Sequence, residues 1–172
     1  MKKTMLALAA MMVTAATNGQ GTVQFNNRLP ASGIDAKVFY WNGPMTGPDF
    51  KAQIYVGSEG TAVGSLRPIS PSTTFRTGNA AGYVNPIDLT IPGIAPGAKA
   101  TIVMRVYNGQ TFESSTIFGT SNPITITLGG AGTPPGPGAE LIGLQGFLIM
   151  PEPSTIALGV FGAAVLLLRR HR

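Results

Sequence analysis

The sequence predicts an all-β fold, an antiparallel β-sandwich of jelly-roll or immunoglobulin-like topology, with a C-terminal transmembrane helix. Three observations carry this. Apolar and polar residues alternate in short runs through the middle of the chain. Glycine (23 residues) and proline (14) punctuate those runs at short intervals. An unbroken run of apolar or small residues fills 156–168, just ahead of Arg169, Arg170 and Arg172. Alternation over a few residues between turn signals marks a half-buried strand, whereas an unbroken apolar run suits lipid.

The front of the chain is a secretory leader. Met1, Lys2 and Lys3 supply a basic start, residues 5–13 an apolar stretch, and Ala15 and Ala16 the small residues of a cleavage site. Residues 1–19 are thus a signal peptide, cut between Ala15 and Gln20, and its partners are the Sec translocon and signal peptidase. An uncleaved anchor is the alternative, but the apolar stretch is short for a spanning helix.

The domain then occupies 20–149. Its clearest strands carry period-two runs at Ala52, Ile54 and Val56; at Ile87, Leu89 and Ile91; at Ala100, Ile102, Met104 and Val106; and at Ile124, Ile126 and Leu128. Weaker strand candidates lie at 23–25, 37–41, 73–76 and 141–148. The glycine-rich stretch 57–64 lacks the Lys-Ser/Thr of a phosphate loop and reads as a turn. Residues 129–138 (GGAGTPPGPG) carry too little side chain to pack and read as an exposed loop or linker. Apolar character returns at 140–149, read as a final edge strand. No helical pattern appears in this domain.

The tail, 150–172, has three parts in order. Pro151, Glu152 and Pro153 form a stiff, extended segment, because proline fixes its own φ and restricts its neighbour. Ser154 or Thr155 can cap a helix running to residue 168. Thirteen residues of helix rise about 20 Å, short of a hydrocarbon core of about 30 Å, so snorkelling arginines or residues 147–150 must extend the span. The basic tail 169–172 holds its end in the cytoplasm. A C-terminal core helix is the alternative, but the run has no polar face.

Taken together, Pro151-Glu152-Pro153-Ser154-Thr155, the apolar span and Arg169-Arg170-His171-Arg172 resemble a PEP-CTERM sorting domain. The resemblance covers about 22 residues. It implies recognition by an exosortase, a membrane-embedded cysteine protease of Gram-negative bacteria that make exopolysaccharide. It also implies cutting near the Pro-Glu-Pro motif, with an inner-membrane intermediate whose body lies in the periplasm before the protein reaches the cell surface or medium. The stretches 21–28, 50–57, 75–78 and 81–83 are similar to uncharacterised exported proteins with the same tail, and that likeness implies no activity.

Composition narrows the function further. The formal charge is +5, yet Lys2, Lys3, Arg169, Arg170 and Arg172 are five of the twelve cations. The rest of the chain is formally neutral, which argues against nucleic acid as a partner. There is no cysteine, and the one histidine is His171 in the tail. A histidine-based triad, a thiolate nucleophile and a histidine or cysteine metal site are therefore excluded from the domain. No cofactor, metal site or catalytic residue is expected. Asp35, Asp49, Glu59, Asp88, Glu113 and Glu140 could supply a carboxylate pair for glycoside hydrolysis, but no motif unites them. Asp49 and Glu59 lack a calcium-binding spacing. Trp41 and Tyr40, with Phe39 before the Asn42-Gly43-Pro44 turn, are candidates for stacking on a sugar ring; the alternative is that alternate members of the run fill the core and the others cap a sheet edge. The expectation is a non-enzymatic exported surface or matrix protein, in contact with membrane lipid and processed by an exosortase. The alternative is a secreted carbohydrate-binding module associated with exopolysaccharide.

Overall fold

The computed structural model describes residues 19–151. The expected signal peptide up to residue 18 lies outside the described residues. So do Glu152, Pro153, Ser154 and Thr155, the expected helix to residue 168, and Arg169, Arg170 and Arg172. The described chain is all-β. Its fourteen strands are β1 (Gly21–Phe25), β2 (Arg28–Leu29), β3 (Ile34–Asp35), β4 (Val38–Tyr40), β5 (Gly43–Pro44), β6 (Lys51–Ser58), β7 (Arg67–Pro68), β8 (Thr73–Thr74), β9 (Ile87–Ile91), β10 (Lys99–Tyr107), β11 (Ile117–Thr120), β12 (Ile124–Thr127), β13 (Ala139–Glu140) and β14 (Phe147–Pro151). Among the described residues no helix is long and apolar enough to cross a membrane.

Two sheets and a small two-stranded pair, β2-β3, share one core. The smaller runs β13-β1-β9; the larger runs β5-β4-β14-β11-β10-β6-β7, with β12 also on β10 and β8 also on β6. Val23 and Phe25 of β1 and Leu89 and Ile91 of β9 join Ile54, Ile102, Met104 and Ile126 in a single buried cluster. These are the residues the period-two pattern places on one face. β9 and β12 keep the expected alternation, with every second residue buried.

The two longest strands depart from it. Nearly all of β6 and β10 is buried, because loops cover their second face. There Tyr55, Val103 and Leu66 form a second cluster under Phe112. The Arg105 guanidinium lies between two rings, 4.2 Å from the centre of Tyr55 and 4.4 Å from that of Phe112, and donates to the Val63 carbonyl. Such stacking satisfies a cation where few acceptors reach it.

Several expectations need correction. The pairing is not purely antiparallel: β1 runs parallel to β13, and β4 parallel to β14. The candidate strand at 73–76 is only Thr73–Thr74, followed by an isolated bridge from Phe75 to Val84. The candidates at 141–148 and 140–149 are displaced: Leu144 donates back to Leu141 in a turn, and the strand starts at Phe147. It then runs through Pro151, two residues past the expected domain end at 149. Strand β11 has no counterpart among the predicted elements. Its Gly119 breaks the apolar pattern because a Cβ there would stand 2.5 Å from the Ile149 side chain of β14.

Residues 129–138 are a closed loop, not a linker. Gly129 exchanges two backbone hydrogen bonds with Thr22, and Gly130 donates to Pro137. A Cβ at Gly129 would lie 2.2 Å from the Pro137 carbonyl oxygen. The loop tip is exposed as expected, but its glycines let the two ends close onto β1. The turn expected at 57–64 is present, with Thr61 donating to Ser58 and Gly60 to the Thr101 hydroxyl.

Candidate functional site

The last described strand lies beside the aromatic run that the sequence singles out. Parallel pairing places Leu148 next to Phe39 and Ile149 next to Tyr40. In-register neighbours point to the same face of a sheet. Val38 and Ile149, each one step along its strand from the Phe39–Leu148 pair and so on the opposite face, are both buried. Phe39 and Leu148 both face outward, 41% and 51% exposed, and Trp41, two residues beyond Phe39, is 79% exposed. Trp41 and Asn42 form the two-residue turn of the β4–β5 hairpin, closed by the Tyr40–Gly43 pair. The next steps along β14 after Ile149 are Met150 and Pro151, paired with Phe118 and Ile117. Trp41 and Pro151 therefore lie at one end of the larger sheet.

Trp41 and Tyr40, predicted as one stacking site, separate. Tyr40 packs on Phe50, ring centres 5.7 Å apart, and lines a shallow cavity of about 170 Å³ with Asn42, Thr46 and Asp49. Trp41 is outside that cavity. Tyr40 is packed against the main core while Phe39 and Trp41 stay exposed, the alternation expected if alternate members of the run fill the core.

The carboxylates fall into distinct settings. Asp35 accepts a hydrogen bond from the Tyr83 hydroxyl. That bond, helped by burial, pushes the Tyr83 phenol above its ordinary pKa. Glu59 pairs with Lys99 at 3.3 Å on the open surface. Asp49 and Glu59 flank opposite ends of the eight-residue strand β6, whose length of roughly 27 Å prevents them from sharing a cation. Asp88 and Glu140 come together: both register with Gln24, one on each side, along the rim of a groove of about 700 Å³ floored by Thr125 and Thr127. Two strand spacings separate their Cα atoms, about 9.5 Å. Asp88 is exposed and Glu140 is half-buried.

A polar site that sequence reasoning missed lies over β6 and β10. The Tyr107 hydroxyl donates to Gln53 Oε1 at 2.7 Å, and Gln53 donates to the Ile69 carbonyl. Tyr55, Tyr107 and Glu113 line a cavity of about 280 Å³ with Ser70, Ser72 and Thr111. Burial raises the pKa of both tyrosines, and the Glu113 charge raises them further. Tyr55, Arg105 and Tyr107 occupy the outward phase of the two strands, where a solvent-facing strand would carry small polar residues. That excess of aromatic character was the available signal.

Among the described residues no three His, Cys, Asp or Glu side chains come close enough to hold a metal ion. Comparison with known proteins finds no matching family model, no matching curated protein and no matching solved structure.

Proposed function

We propose that this chain is a non-enzymatic exported protein, held in the inner membrane by residues 154–168 with its body in the periplasm. An exosortase then cuts it near Pro151-Glu152-Pro153 and delivers it to the cell surface or matrix. The observation that carries this is the ordered tail: a proline-stiffened motif, a charge-free span and Arg169, Arg170 and Arg172 behind it. A basic, apolar leader at the other end of the chain supports the same route. The two sheets on one core suit a β-sandwich of jelly-roll or immunoglobulin-like topology, stable by burial without disulfides. The pairing of β14 through Pro151 makes the motif follow the folded body almost directly.

The test is replacement of Pro151, Glu152 and Pro153 by alanine in a strain with a working exosortase. The span keeps its apolar residues and still inserts, while full-length protein accumulates in the inner membrane. Release into the medium at the normal rate overturns the sorting assignment.

A second function, binding of a polysaccharide by the body, is favoured by the cavity beside Tyr40, Asn42 and Asp49, whose rings and polar groups suit a sugar. A glycan array with the processed protein tests it: retention of a glycan by the native chain and not by Asn42→Ala supports this role, and no retention removes it.

A further inference from the structure

We infer that Phe39, Trp41 and Leu148 form a lipid-contacting patch that seats the body on the outer surface of the membrane before release. This rests on the proposed insertion of residues 154–168 and goes beyond it by assigning an orientation and a contact surface to the folded domain.

The patch groups three of the exposed large apolar side chains; the others among the described residues, Val63 and Ile142, lie in other segments. Phe39 and Leu148 are direct cross-strand neighbours, and Trp41 follows Phe39 at the same end of the sheet. Contiguous exposed apolar side chains mark an interaction surface, whereas isolated ones do not.

Where the chain goes next selects the occupant. By register Trp41 is level with Met150, one residue before the last described residue, Pro151. Their strands are neighbours, so Trp41 lies within about 10 Å of the exit. Four residues lie between Pro151 and Ile156, the first residue of the apolar span, and even fully extended the five steps reach no more than about 18 Å. An inserted span thus holds this end of the sheet within reach of the headgroup layer. Indole and phenyl rings are favoured there, because the interface accommodates an apolar body with a polar edge.

The surrounding loops permit close approach. The stretches 41–50 and 108–116, which border this end, carry only Asp49 and Glu113 as charges. Lys37, whose Nζ lies 5.9 Å from the Phe39 ring centre, supplies a cation at the patch margin. Few charges therefore need to lose water as the rings descend.

Trp41 is the one tryptophan of the chain, so its fluorescence reports on this patch alone. The full chain is reconstituted into phosphatidylcholine–phosphatidylglycerol vesicles, recovered by flotation, and exposed to iodide on both sides of the membrane or to acyl-brominated lipid. The expected result is quenching of Trp41 by brominated lipid and at least a several-fold loss of iodide quenching relative to the lipid-free chain. Phe39→Ser with Leu148→Ser, both at exposed positions, restores iodide access while the chain still floats. A floating chain whose Trp41 stays open to iodide overturns the docking and leaves the anchor standing. Shielding from iodide without quenching by brominated lipid means that a second copy or another surface covers the patch, and overturns it too. A chain that does not float overturns the anchor and the docking together.

Discussion

Asn27 is completely buried, and it uses its amide as a backbone substitute. Its Nδ2 donates to the carbonyls of Ala36 at 2.7 Å and Gly82 at 3.1 Å, and its Oδ1 accepts from the Val84 amide at 2.9 Å. Three segments distant in sequence are joined at one side chain. Beside it the Arg28 guanidinium lies 4.7 Å from the centre of the Tyr83 ring, whose hydroxyl donates to Asp35. The stretches 21–28 and 81–83 therefore meet in space. Packing and hydrogen bonding account for these residues without a ligand. Replacing Asn27 with alanine leaves the Val84 amide and the Ala36 carbonyl without their partner, each such group costing about 1–3 kcal/mol, while the Gly82 carbonyl keeps its bond from the Val38 amide. The expected loss of stability is about 2 kcal/mol or more, read from the midpoint of urea unfolding at unchanged slope. A loss below about 1 kcal/mol would show that the site relaxes or hydrates, and that Asn27 is no keystone.

At the scale of elements, the parallel pair β4–β14 holds the last described strand to the larger sheet, and Gly146 permits that pair. A Cβ at residue 146 would stand 2.4 Å from the Lys37 carbonyl oxygen and 3.1 Å from its nitrogen, both backbone atoms that cannot swing aside. Gly146→Ala therefore forces β14 away from β4 at its first residue. The expected cost is about 1–3 kcal/mol, with faster amide exchange at residues 147–149 and little change in β9. Uniform exchange across both sheets would mean that the pair is not a separable unit. This element also shows what was legible in the sequence. β9 and β12 were, because each has one wet face and period-two alternation is enough to read it. The burial of the second face of β6 and β10 was not, since the covering residues, Leu66 and Phe112, come from loops with no pattern of their own. β11 was hidden by a glycine that exists for a neighbour about thirty residues away. Of the candidate site, the aromatic run at 39–41 was legible. So was its alternation, with Tyr40 inward against Phe50 and Trp41 outside; the parallel neighbour β14, which sets Leu148 beside Phe39, was not. The pairing of Asp88 with Glu140 across Gln24 was equally out of reach, as it needs the strand order β13-β1-β9.

For the whole molecule, the consequence of burying phenols is an alkaline limit on stability. Tyr55, Tyr83 and Tyr107 all have pKa values raised above the ordinary value near 10. Burial is the main cause for Tyr55 and Tyr107, and the hydrogen bond to Asp35 is the main cause for Tyr83. Each group binds its proton more tightly in the folded chain than in the unfolded one. As the pH passes 10 the unfolded chain releases protons first, so alkali favours unfolding. The stabilisation is complete below the ordinary tyrosine pKa and is lost as the pH climbs through the raised values. Two of these tyrosines lie over the larger sheet and the third joins the segments around Asn27, so ionisation strains the domain at two places at once. The β-sheet circular dichroism and the appearance of phenolate absorbance should thus change together above pH 10, in one cooperative step. Tyr83→Phe should lower the number of protons released in that step, because a residue without a hydroxyl has none to lose. Phenolate appearing at the ordinary tyrosine value with the sheet signal intact would mean that the rings are open to water, contrary to their burial here.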